Sequence, residues 1–214
     1  MKHAALHKLN QWFSPAYPVG AFSYSHGLEW VISEGEVSDA VSLKAWLMGV
    51  LTQGSGRNDA ILLAHAYRAA TSAALADIAE LAAALSPSAE RLLETTAQGA
   101  AFAKTTRAVW PAAVSDMPYP VAVGAAAQQH SLPLEDTIAL YLHAFASNLV
   151  SAAVRFIPLG QTDGQKVLSE LFETIDEITT YAQTATLDAL GGCAFRADMA
   201  SMLHETQTTR IFRS

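Results

Sequence analysis

Arg155-Phe156-Ile157-Pro158-Leu159-Gly160-Gln161-Thr162-Asp163-Gly164-Gln165 decides the fold, because it sets helix breakers between two segments whose apolar residues repeat at helical spacing. Pro158 has no backbone N–H and biases Ile157 away from helical angles, while Gly160 tolerates angles that a side chain forbids. The upstream helix is therefore predicted to stop here. Thr162 and Gln165 have the spacing of a capping box, which predicts that the next helix starts at once. Upstream, Ile138, Tyr141, Leu142, Phe145, Leu149 and Ala153 mark one apolar face; downstream, Val167, Leu168, Leu171, Phe172, Ile175 and Ile178 mark another. Two such helices joined by a short loop pair antiparallel.

The same spacing, without strand alternation, runs along the rest of the chain and predicts an all-α protein: a single-domain bundle of roughly ten helices over residues 1–214. A first helix covers about 3–13, and Ser14-Pro15-Ala16-Tyr17-Pro18-Val19-Gly20 breaks it. Helical spacing resumes over 23–33, and Ser38 with Asp39 starts a helix through about 52, closed by Gly54 and Gly56. Further helices are expected over about 59–74 and 75–85. Ser86-Pro87 reads as a cap and first residue of a longer helix to about 109. Beyond the loop between Trp110-Pro111 and Pro118-Tyr119-Pro120, a small-residue helix spans about 121–130. Gly191-Gly192 closes the last long region, and a short helix over about 197–205 precedes a tail at about 204–214, where arginines flank two large apolar residues. That tail reads as a docking segment.

Composition narrows the function. Apolar residues make up 51% of the chain and charged ones 15%, enough for a large core but little charge to cover a surface, so partners are expected to bury part of it. The net charge is −7 and no basic block occurs, which argues against nucleic acid. The alanine-rich stretches are interrupted by Asp77, Glu80, Glu90 and Arg91, so no membrane span is expected. One cysteine, Cys193, and an N-terminus without a continuous apolar run point to the cytoplasm.

No constellation for chemistry emerges. Gly160 and Gly164 lack the lysine and the preceding strand of a phosphate loop. Cys193 has no neighbouring base to stabilise a thiolate. Ser14, Ser23 and Ser25 lie near His26 only in sequence. His3 and His7 share a helix face without further ligands. His26 and Glu29, three apart, with His204-Glu205 from the far end, form the one set that a fold could gather into a metal site. No catalytic residue, cofactor or resident metal is expected.

Three stretches resemble the urease accessory protein UreF family. They are Ser14-Pro15-Ala16-Tyr17-Pro18-Val19-Gly20-Ala21-Phe22-Ser23-Tyr24-Ser25-His26-Gly27-Leu28-Glu29, the run from Ser147 to Gln165, and the tail His204-Glu205-Thr206 with Arg210-Ile211-Phe212-Arg213-Ser214. Many relatives carry a second glycine where Ala21 stands, and leucine where Ile211 stands. The resemblance implies an all-α homodimer that is not an enzyme. Such a protein binds UreD, called UreH in some lineages, and recruits the nickel-carrying GTPase UreG to the urease apoprotein for nickel insertion. Tyr24, His26, Glu29, Gln161, Asp163, His204, Glu205, Arg210 and Phe212 are then expected at partner surfaces, with Arg210 and Phe212 as tail anchors. An alternative is a nickel carrier built on His26, Glu29 and His204.

Overall fold

The computed structural model describes residues 3–111 and 113–214. Among these, eleven α-helices and two short 3-10 turns make up the regular structure, and no strand occurs. The helices are α1 (His3–Trp12), α2 (Leu28–Ser33), α3 (Ala40–Gln53), α4 (Ser55–Arg68), α5 (Ser72–Ala84), α6 (Ala89–Val109), α7 (Tyr119–Gln129), α8 (Leu134–Ala153), α9 (Gln161–Ser169), α10 (Phe172–Ala182) and α11 (Phe195–His204). The all-α bundle read from the apolar spacing is what the chain forms.

Local chemistry sets several of the helix starts. Asp39 and Ser42 form a reciprocal capping box at α3, with Ser42 N donating to Asp39 Oδ1 at 2.8 Å. Thr71 accepts the Ala74 N–H at α5, and Ser88 accepts the Arg91 N–H at α6. The α6 cap is therefore Ser88 and not the Ser86 that precedes proline. Glu205, from the end of α11, adds a carboxylate to the same helix start by accepting the Ala89 N–H at 2.8 Å.

At the breaker loop, α8 ends at Ala153 and α9 begins at Gln161, as Pro158 and Gly160 require. The Thr162–Gln165 capping box does not form: α9 starts two residues early, Gly160 is its cap at an ordinary φ of −71°, and no side chain bonds the first-turn amides. The run expected as one helix through Ile178 is two, α9 and α10, separated at Glu170 and Leu171. Its apolar face nevertheless packs on α8, with Val167, Leu168, Leu171, Ile175 and Ile178 buried. Gly54 closes α3 as expected. Gly56 instead lies inside α4, where a Cβ would stand 2.8 Å from Leu51 Cα.

α7 is the central element. Every residue from Pro120 to Ala127 is buried, and the helix lies against α4 on one side and α6 on another. Small residues allow this closeness: a Cβ on Gly124 would stand 2.3 Å from the Leu63 carbonyl oxygen of α4. The main core joins Leu9 and Trp12 of α1 to Leu28, Leu43, Leu47, Ile61, Leu63, Phe102, Ile138, Leu142 and Leu149. Phe102 meets Trp12 edge-on, with centroids 5.1 Å apart.

Candidate functional site

The chain between Ser23 and Ser33 is not one helix. A 3-10 turn at Ala21–Ser23 is followed by two residues with left-handed backbone, His26 at φ 60° and Gly27 at φ 76°, before α2 begins at Leu28. Gly27 is needed twice over, because its φ favours glycine and because a Cβ there would meet Ser201 N of α11 at 2.7 Å. The turn lets α11 lie directly against α2 and swings His26 away from the helix face on which Glu29 sits.

Three carboxylates on α2 and α6 then hold the C-terminal tail. Glu29, 4% exposed, accepts the Ile211 N–H on Oε1 at 2.8 Å and the Phe212 N–H on Oε2 at 2.9 Å. Glu90 accepts from Arg210. His204, fully buried at the end of α11, stands between the two, with Nδ1 2.6 Å from Glu90 Oε2 and Nε2 3.2 Å from Glu29 Oε2. Only a ring with two N–H groups, the imidazolium, can donate to both carboxylates. Glu94, one turn along α6 from Glu90, accepts the Ser214 hydroxyl at 2.7 Å and pairs with Arg91. Ser25 closes the clasp by donating its N–H to the Ser214 carbonyl at 2.7 Å, and Arg213 N donates to Ser23 O at 2.8 Å.

The inner end of this network is buried and charged. Burial, reinforced by Arg91, pushes the pKa of His26 below its usual range against the pull of Glu94 and Asp198. Its Nε2 meets Ser55 Oγ at 2.7 Å, whereas Nδ1 is 3.9 Å from Glu94, too far for a hydrogen bond. Burial alone would raise Glu94, but Arg91 and His26 outweigh it and hold the carboxyl well below the usual carboxylate range. Asp59 of α4, bonded by the Tyr141 hydroxyl at 2.7 Å, is pushed up to about 6 by burial, which Arg91 and that hydroxyl only partly offset. Arg91 is 6% exposed, and its Nε has no hydrogen-bond partner among the described residues.

The residues picked from sequence separate into two groups. Glu29, His204, Glu205, Arg210 and Phe212 come together, at the clasp or at the α6 start beside it. Phe212 is 4% exposed and stacks on Phe156 with centroids 5.4 Å apart, so within this chain it anchors the tail to its own core. Tyr24 is also buried, and its carbonyl accepts from Asn148 of α8. His26 turns toward Ser55 and not toward Glu29 and His204. Among the described residues, no group of three His, Cys, Asp or Glu side chains is placed to hold a metal ion. Gln161 is exposed at the wall of a cleft of about 830 Å³ between the Ser14–Phe22 loop and α8, while Asp163 is paired with Lys166 at 2.8 Å.

Glu94 escaped the sequence reading, while Glu90 and Arg91 entered it only as charges interrupting an alanine-rich stretch and Ser25 only as a serine close to His26 in sequence. α6 carries Glu90, Arg91 and Glu94 at adjacent and one-turn spacing, which also describes any solvated helix face, so only burial separates them from surface charges.

The chain matches the UreF family model over residues 37–172, more than half its length. It belongs to the UreF family. It is 58% identical to the urease accessory protein UreF of Cereibacter sphaeroides strain KD131 over 211 residues, covering 99% of each chain. It is 51% identical to the proteins of that name from Rhodopseudomonas palustris strain BisB5 and from Bradyrhizobium diazoefficiens, each over 223 aligned residues with 99% of this chain and 92% of the relative covered. These names describe accessory proteins, not catalysts. The family model ends before α11 and the tail, so the clasp joins a segment within the matched region, α6, to segments outside it on both sides. Among the described residues of this UreF-family chain, no helix is long and apolar enough to cross a membrane.

Proposed function

We propose that this chain acts in urease maturation as a cytoplasmic scaffold: as a homodimer it binds UreD (UreH), recruits the GTPase UreG to the urease apoprotein, and couples GTP hydrolysis to nickel delivery. Family membership and the relatives' name support the role in urease maturation. The observation that carries the scaffold reading is the clasp. Ordering an irregular segment costs roughly 1–2 kcal/mol per residue in backbone entropy, and here two backbone N–H groups, an arginine and an imidazole are committed to buried carboxylates to hold one. What the fixed tail leaves outside is Ile211, 76% exposed, next to buried Phe212. A rigid tail with an outward apolar residue is a surface already organised for a partner, which lowers the entropic cost of binding. Phe212 thus acts from beneath the contact, and Arg210, exposed but bound to Glu90, fixes the tail beside it.

Coupling to a GTPase requires different contacts with its two nucleotide states. The test is assembly of the purified chain with UreD and UreG in the presence of GTP or GDP, followed by nickel-dependent activation of apo-urease. Nucleotide-sensitive assembly is expected; a chain that captures neither protein sinks the reading.

A further inference from the structure

The tail that leaves the clasp lies on a surface whose charge is opposite to that of the whole chain. Arg155, just beyond α8, is exposed and makes no ion pair among the described residues; its guanidinium lies 5.8 Å from the Phe212 ring centroid. Arg213 is exposed as well, held at its backbone by Ser23 and likewise unpaired. Phe22, beside Ser23, is 65% exposed, and Ile211 is 76% exposed. Phe22 and Arg155 line the same cleft of about 830 Å³, whose mouth also carries the neutral amides of Gln161 and Gln165. The nearby carboxylates are spoken for: Glu29 and Glu90 are buried in the clasp, and Asp163 is paired with Lys166. Of the two that line the cleft itself, Glu94 is paired with Arg91 and Asp59 is bonded by the Tyr141 hydroxyl. A chain of net charge −7 therefore presents Arg155 and Phe22 at this open volume, with Ile211 and Arg213 exposed on the tail, which Arg213 N ties to Ser23 and the Phe212 ring ties to Arg155.

We propose that Arg155, Arg213, Phe22 and Ile211 form one docking face for an acidic protein segment that carries an apolar side chain between its carboxylates. This rests on the scaffold reading, of which it specifies the partner's chemistry. Guanidinium forks bind carboxylates in bidentate geometry, which favours a carboxylate ligand. The apolar pair supplies area that charge alone does not, and the cleft accepts the side chain. Two arginines are too few to hold duplex DNA or an anionic bilayer at physiological salt, because both need several neutralised phosphates or a polybasic run. A second copy of this acidic chain is a competing occupant.

The test uses the full-length chain, a fluorescein-labelled peptide alternating Glu-Glu-Leu, and a Lys-Lys-Leu counterpart, read by anisotropy at 50 mM and 500 mM NaCl. Wild type is expected to prefer the acidic peptide at least about tenfold at low salt and to lose most of that preference at high salt. Arg155→Glu/Arg213→Glu should abolish the preference; Arg155→Lys/Arg213→Lys should retain part of it; Phe22→Ser should weaken binding without changing the salt slope. All four side chains are exposed, and thermal melts confirm that each variant is folded. Equal binding of the acidic peptide by wild type and the double reversal overturns the proposal. So does stronger capture of phosphatidylglycerol vesicles or DNA than of the peptide, or a reversal whose only effect, seen by sedimentation, is to dissociate a homodimer. Capture of UreD and UreG is measured on the same variants. Loss by the reversal alone supports the face, whereas failure of wild type to bind either protein strikes the scaffold reading and leaves the peptide result standing.

Discussion

Glu29 accepts the Phe212 backbone N–H at 2.9 Å across 183 positions of sequence, and so ties the start of the first buried helix after the N-terminal loop to the last turn of the chain. The bond makes the tail part of the core. With Ile211 N on its other oxygen and His204 beside it, Glu29 is a buried charge with three donors, the condition under which such a charge is tolerated.

Replacing Glu29 by Ala should release the tail and lower stability by about 3–5 kcal/mol, the range for breaking a buried ionic network. Glu29→Gln, which keeps one acceptor, should cost about half as much. Amide hydrogen exchange at Ile211 and Phe212 should rise in both variants before exchange in α7 does; unchanged protection of those two amides would show that the tail is held by other means.

His204→Leu leaves Glu29 and Glu90 facing each other without their shared donor and should destabilise by about 3–5 kcal/mol. His204→Gln, able to donate to one of them, should recover part of this. A chemical denaturation series separates the two, and equal losses would remove the imidazole's role as a bridge.

Asp59→Asn probes pH dependence. Because the folded-state pKa of Asp59, about 6, lies above the ordinary value of 3.8, the folded protein holds this proton more tightly, and Asp59 makes stability fall as pH rises from about 4 to 6. His26, lowered by burial, works in the opposite direction, costing stability as pH falls below about 6.5, and Glu94, also lowered, costs stability only as pH drops below about 4.5. The difference between variant and wild type isolates the aspartate. Asp59→Asn should gain about 1–3 kcal/mol on wild type between pH 4 and pH 7, and a pH-independent difference would refute the raised value.

Gly124→Ala should separate α4 from α7, since its Cβ would stand 2.3 Å from the Leu63 carbonyl and only backbone movement can relieve the clash. A loss of about 2–4 kcal/mol is expected, of the order seen for severe overpacking. Gly20→Ala, at φ 75° but with open space around its Cβ position, should cost about 1 kcal/mol from strain alone. Thermal melts of the pair distinguish close packing from backbone strain.

Ile211→Ser should leave stability within about 0.5 kcal/mol, as exposed substitutions do, while Phe212→Ala should cost about 3–5 kcal/mol as a buried aromatic truncation. If partner capture falls for Ile211→Ser with an unchanged melt, the outer face of the tail makes the contact. Removing the tail after Gln207 is expected to do both, because it strips the clasp of its donors as well as its exposed residue.

The sequence by itself determined the helices and their main breaks. The periodicity of α8, the Pro158–Gly160 stop, the start near Asp39, and the glycines after α3 and before α11 act over a few residues, and such signals survive without knowledge of the fold. The Thr71 cap was missed, because the helix expected over about 59–74 ends at Arg68 and α5 begins at Ser72. Where it went astray, a distant partner overrode a local preference. His26 and Gly27 leave helical geometry where Ser201, far along the chain, comes so close that a Cβ on Gly27 would stand 2.7 Å from its backbone nitrogen. Thr162 and Gln165 have capping-box spacing, yet α9 begins before them. Glu29, His204 and Arg210 were legible as notable residues, and their gathering with Glu90 was not, because nothing in a helix's charge pattern says which face is dry. Tertiary structure alone decided that the tail closes on its own core, since a buried carboxylate is stable only where donors from remote segments converge on it.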